Sequence, residues 1–192
     1  MLQLDTPEPA TKTRIPGDTH IWVMVIGDLL IFTGYFVMFM VFRSMNDEAF
    51  LEGQRHLSVN IGVTNTVVLL TSSWFIARSV FATRAGNYRT ATRFIYAGAA
   101  GGVLFVILKM YEWAIKISHG YTNAETFFSF YYVITGVHLV HVLIGLIGLG
   151  VCVRELKNPG RQRLMVIESG ALYWHMVDLL WVVIFGLIYV MR

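Results

Sequence analysis

The stretch YWHMVDLLW at 173–181 sits inside the last long apolar run and carries a histidine and an aspartate. His175 and Asp178 are three residues apart, so on a helix they are about 60° apart around the axis. Trp174 and Trp181 flank them. A carboxylate in the middle of a membrane span costs roughly 2.5–3.5 kcal/mol on insertion scales, so it is expected to face protein and to have a partner. Further ionisable residues fall inside apolar runs: Asp28, Lys109, Glu112, His138, His141 and Glu168. His138 and His141 share a helical face. Glu168 lies seven residues before His175, on nearly the same face and about two turns away. Glu112 stands near Lys109 and Lys116, and pairing with one of them is a sufficient account of it.

Three chemistries fit this set. The first is structural: polar groups that lock helix against helix. The second is a haem or metal site, with His138 or His141 and His175 as axial ligands from two helices. The spacing H-x-x-H is weak evidence for it. A di-iron site would repeat Glu-x-x-His on two helices, and only His175 has a nearby carboxylate, in the order His-x-x-Asp. The third is a proton path, because intramembrane acids mark such paths. Asp28, Glu168 and Asp178 form steps only if their helices are adjacent. Nucleophilic and nucleotide chemistry have no support, since there is no G-x-S-x-G elbow, P-loop or dinucleotide fingerprint. The single Cys152 excludes an internal disulfide and a cysteine-based metal cluster.

The elements that hold these residues follow from composition. Of 192 residues, 56% are hydrophobic and 14% charged, and mean hydropathy is +0.60. A soluble domain would carry about a quarter charged residues, so the class is an integral membrane protein. Five apolar runs, about 20–42, 58–82, 91–115, 125–153 and 164–190, each reach the ~20 residues a helix needs to cross a bilayer. They are continuous rather than alternating, which argues for helices over barrel strands. The reading is an all-α bundle of five transmembrane helices, residues 19–192, behind a polar tail at 1–18 that ends in a turn at IPGD. Residues 43–57 read as a polar loop. No cleavable leader is read, because the first run is too long and no A-x-A-like site follows it.

With five spans, Lys12, Arg14, Arg84, Arg89, Arg93, Arg154, Lys157, Arg161 and Arg163 fall on one side, and Arg43, Arg55, Lys116 and Arg192 on the other. The positive-inside rule then puts the N-terminus in the cytoplasm and the C-terminus outside. The net charge of +3 is read as this flanking pattern and not as a nucleic-acid surface. Gly98 with Gly102, and Gly145, Gly148 and Gly150, mark expected close approaches between helices. Trp113, Trp174 and Trp181 are expected at lipid or partner contacts. Asp28 has no lysine or arginine within a helical turn. It is expected to be uncharged, or bonded to a polar group on another helix, and to open to a lipid cleft or a partner surface.

At these residues the chain resembles subunit III of the haem-copper oxidase superfamily. YWHMVDLLWVVIFGLIY at 173–189, with Glu168 just before it, looks like that family's last helix, and TGVHLVHVLIG at 135–145 like its penultimate one. NTVVLLTSS at 65–73 and Tyr111-Glu112-Trp113 resemble two others. The chain looks like the short, five-helix form. Where short members usually have a glutamate in the first span, this chain has Gly27-Asp28 in GDLLIFTGYFVMF. With RIPGD at 14–18, that is most similar to the E-type accessory subunit associated with nitric oxide reductases. The resemblance implies a non-redox accessory subunit of a nitric oxide reductase or terminal oxidase in a bacterial inner membrane. It implies no haem, copper or other cofactor of the chain's own, a haem-copper catalytic subunit as partner, and bound phospholipid. Its polar set, Asp28, Glu112, His138, His141, Glu168, His175 and Asp178, would then support assembly and proton or gas access rather than catalysis. The competing class is a haem-binding electron-transfer membrane anchor using His138 or His141 with His175.

Overall fold

The computed structural model describes residues 17–121, 126–158 and 164–191. Most of the tail assigned to 1–18 lies outside these residues. Six α-helices carry the described chain: α1 (Thr19–Met45), α2 (Asp47–Arg55), α3 (Val59–Arg84), α4 (Tyr88–Ser118), α5 (Thr126–Lys157) and α6 (Leu164–Phe185), which continues into a π-helical turn at Gly186–Val190. Five of these segments are long and apolar enough to cross a membrane, from α1 at Thr19–Met45 to the last at Leu164–Val190. They match the five apolar runs: the last coincides at 164–190, and the ends of the others shift by one to four residues.

The last helix is the centre of the bundle. In its most apolar window 56% of residues are buried, against 17% for α1. It packs on α5, α3 and α1. Trp174, Val177, Trp181 and Ile184 are all buried there. The α3–α4 hairpin is closed by local chemistry. Gly86 takes a φ of 74°, a left-handed conformation that side chains with a Cβ avoid. The Asn87 N–H then reaches Ala82 O at 2.9 Å, and the Asn87 side chain accepts from Thr90 N at 3.2 Å to cap α4.

Close approach occurs where some of the glycines were expected to permit it. A Cβ on Gly98 would lie 2.5 Å from Ile76, one on Gly102 2.5 Å from Trp174, and one on Gly145 2.9 Å from Trp174. Gly148 and Gly150 differ: a Cβ on either meets nothing within 4 Å. Gly150 is exposed, whereas Gly148 is half-buried beside α6, its carbonyl oxygen 4.0 Å from where a Cβ on Gly170 would lie.

The segment read as a polar loop contains α2. Its Phe50 is fully buried, with Phe39 of α1 at 5.4 Å and Phe127 of α5 at 5.7 Å between ring centroids. Gln54 donates to Leu187 O at 3.4 Å and Ile188 O at 3.1 Å. In a π-helical turn the carbonyl pairing is shifted, and the Gln54 amide meets two of the oxygens concerned. Arg43 donates to Met191 O, and Lys116 to His56 O at 2.9 Å. Side chains thus bind the backbone together at this end of the bundle.

Candidate functional site

The intramembrane polar residues do not form one network. They resolve into separate clusters, each built across a particular helix contact.

The most enclosed one joins α4, α5 and the π-helical turn. Lys109 is fully buried and Glu112 is 1% exposed. The Lys109 ammonium donates to Glu112 Oε2 at 3.0 Å, to the Tyr131 phenol oxygen at 3.1 Å and to the Tyr189 phenol oxygen at 2.9 Å. An ammonium has three donors, and all three are used. Tyr189 in turn donates to the Glu112 carboxylate, at 2.8 Å to Oε1. The Lys109 charge also lies over the Tyr131, Trp181 and Tyr189 rings, 4.6, 5.1 and 5.4 Å from their centroids. The Lys109–Glu112 spacing of three was readable on α4. Tyr131 and Tyr189 were not, because only the fold brings them there.

A second cluster lies near the Arg84 end of the bundle. Arg84 Nη2 and Nε donate to Glu168 Oε1 at 2.8 and 3.1 Å. Glu168 is buried, and its other oxygen accepts from Gly17 N at 3.3 Å. Ser169 Oγ accepts from Asp18 N at 3.1 Å. The start of α6 therefore tethers the chain entering α1.

His175 pairs with Ser73 of α3 through its Nδ1. Asp178 is buried one turn along α6, and its Oδ1 has no hydrogen-bond partner among the described residues. His138 is fully buried, with no polar partner for either ring nitrogen there. Its ring lies 5.7 Å from that of Phe105 and 5.3 Å from that of Trp181. His138 and His141 both point into the bundle, but they do not meet the face of α6 that carries Glu168 and His175. Glu168 and His175 face α3. His138 faces Phe105 and Trp181, and His141 faces α1.

His141 Nε2 stands 3.6 Å from Asp28 Oδ1, both side chains being under one-fifth exposed. His141 Nδ1 lies 2.8 Å from Val137 O. A carbonyl only accepts, so Nδ1 carries the hydrogen and Nε2 faces the carboxyl group. Asp28 thus faces a polar group on another helix, the His141 imidazole of α5, which sequence spacing along α1 cannot reveal.

The tryptophans need a further correction. Trp174 and Trp181 are 1% and 0% exposed, so neither is a lipid or partner contact. Their indole N–H groups donate to Ser72 Oγ and Thr66 Oγ1, both at 3.1 Å. A buried indole needs such an acceptor. Trp113 is half-buried against Tyr132, at 5.6 Å between ring centroids.

Polar side chains from all five spans take part in these contacts, and comparison with known proteins gives the chain a family. Residues 17–192 match the model of cytochrome c oxidase subunit III. The chain belongs to that family. It is 30% identical to cytochrome c oxidase subunit 3 of Thermostichus vulcanus, over 88% of this chain and 84% of that protein. It is 28% identical to cytochrome c oxidase subunit 3 of Synechocystis, over 94% of this chain and 83% of that protein. It is 27% identical to a heme-copper oxidase subunit I+III of Aeropyrum pernix, over 95% of this chain and 23% of that protein.

Proposed function

We propose that the chain is a non-redox accessory subunit of a membrane haem-copper enzyme. The carrying observation is the dispersal of its histidines inside a subunit III fold. His175 is engaged by Ser73, His138 is enclosed by Phe105 and Trp181, and His141 is turned toward Val137 O and Asp28. The three rings stand at different helix contacts, which favours the accessory reading over a haem-binding anchor. The catalytic subunit is the partner. The Aeropyrum relative, named subunit I+III, supports that pairing. The chain has no cofactor of its own, binds phospholipid along its apolar flanks, and lies in a bacterial inner membrane. Its N-terminus is cytoplasmic and its C-terminus outside. The test is affinity purification of the tagged chain in mild detergent. A haem-bearing polypeptide should co-purify, and the chain freed from it should show no Soret band. A Soret band at stoichiometric haem in the isolated chain would overturn the reading.

Within that class we place the chain with the E-type accessory subunits of nitric oxide reductases. The support is Gly27-Asp28 in the first span, together with RIPGD at 14–18. Deleting the gene should slow nitric oxide consumption by whole cells and leave oxygen consumption near its original rate. The opposite pattern would assign the chain to a terminal oxidase.

A further inference from the structure

One face of α3 is exposed along its whole length. Asn60, Thr64, Val67, Thr71, Trp74, Arg78 and Phe81 all lie on it. Their spacing is four, three, four, three, four, three. That is the heptad seam by which one helix packs along another at a small crossing angle. No other helix among the described residues packs along it: α3 packs on α4 and α6 with its other faces, through Leu69, Ser72, Ile76 and Ser79, all buried.

What sets this face apart from the other exposed faces is Arg78; the spacing and the threonines alone do not, since α1 exposes a face of the same spacing on which Thr33 donates to Leu29 O at 2.7 Å. Mid-span exposure on α4 is carried by Val103, Leu104 and Ile107, and on α5 by Val140, Leu143 and Ile144. The α3 seam places Thr64 and Thr71 there. Each hydroxyl donates to its own helix, to Asn60 O at 2.9 Å and Val67 O at 2.8 Å. Small polar residues of this kind let transmembrane helices approach closely. Arg78 lies six residues before Arg84, roughly 9 Å deeper along the axis. No carboxylate among the described residues pairs with it. Its guanidinium rests 5.9 Å from the Trp74 ring and 5.9 Å from the Phe94 ring. A cation held at this depth on an aromatic shelf calls for an anionic partner.

We infer that the exposed α3 seam is the docking surface for a transmembrane helix of the haem-copper catalytic subunit, and that this helix presents a carboxylate to Arg78. The inference rests on the accessory-subunit reading. The seam supplies the register through Thr64, Val67 and Thr71. Arg78 fixes it, because a carboxylate one turn out of place would leave both charges unpaired.

The experiment uses the complex in native membranes. p-Benzoylphenylalanine is placed singly at Thr71 and Val67 on the seam, and at Leu104 of α4 and Val140 of α5 as comparison sites. All four side chains are exposed, so folding tolerates the probe. Irradiation should join the seam positions, and not the comparison positions, to the haem-bearing polypeptide. Adducts from Leu104 or Val140 alone would overturn the surface and leave the accessory reading standing. Adducts between two copies of this chain, or to lipid only, would also overturn it. Failure of any haem polypeptide to co-purify would sink the accessory reading itself and this surface with it. Independently, Arg78→Leu should lower haem retained per tagged chain roughly five-fold, within the range found for interhelical polar pairs, and Arg78→Lys should restore part of it. Full retention in Arg78→Leu would remove the carboxylate from the proposal.

Discussion

The ammonium of Lys109 lies 3.0 Å from the carboxylate of Glu112, one turn along α4, with both side chains closed off from the surroundings. Removing one member of such a pair strands the other, which typically costs about 3–5 kcal/mol, whereas replacing both by apolar groups is often close to neutral. Lys109→Met and Glu112→Leu should each sharply lower the thermal unfolding midpoint in detergent. The double variant should recover much of the loss, with Tyr131 and Tyr189 left to bond each other. A double variant as unstable as the sum of the two singles would show that the two side chains act separately.

Gly102 tests the packing between α4 and α6. A Cβ there would come within 2.5 Å of the Trp174 ring, and the same ring donates to Ser72 Oγ on α3. A larger residue must displace an indole held by both packing and a hydrogen bond. Overpacking of this kind typically costs about 1–3 kcal/mol. Gly102→Leu should lower the unfolding midpoint and shift tryptophan emission. Gly150→Leu should do neither, since a Cβ there meets nothing within 4 Å. Equal effects at the two sites would contradict the packing described.

The spans were legible because five long apolar runs leave few other folds open. Partnerships along one helix were legible too: Lys109 with Glu112 needed only a spacing of three. What the sequence withheld was which helices touch. Asp28 and His141 are brought together by the α1–α5 contact, and Lys109 and Tyr189 lie 80 positions apart. Trp174 and Trp181 were placed at lipid by the usual preference of tryptophan for membrane interfaces. Yet they lie mid-span, seven residues apart, on one face of the helix that proves most buried. That was the available signal. The α2 helix was hidden by its polarity, although Asp47 and Glu48 in the first turn and Arg55 in the last complement its dipole.

Orientation is open to a direct check. Arg84, Arg89, Arg93, Arg154 and Lys157 gather at one end of the bundle, and the positive-inside rule predicts that this end is cytoplasmic. A phosphatase reporter fused after Arg192 should be active, and one fused at the Gly86 turn inactive. The reverse pattern would invert the assignment, with the five helices unchanged.

Glu168 offers the sharpest test of how α1 is held. Its carboxylate joins Arg84 of α3 and the backbone N–H of Gly17, while the neighbouring Ser169 accepts from Asp18 N. Glu168 is 7% exposed at its side chain but Arg84 is 49% exposed, so water screens the ion pair from one side. Such half-open pairs contribute about 1 kcal/mol or less. The backbone contact adds to this a grip on the entry to α1. Glu168→Gln keeps the shape and an acceptor oxygen, and should cost little. Glu168→Leu removes both acceptors, strands Arg84 and frees the chain before Thr19. Proteolysis ahead of α1 should then be faster in Glu168→Leu than in Arg84→Leu, because the arginine variant keeps the Gly17 contact. Equal proteolysis in the two leucine variants would mean that the ion pair alone, and not the backbone tether, fixes the start of the first span.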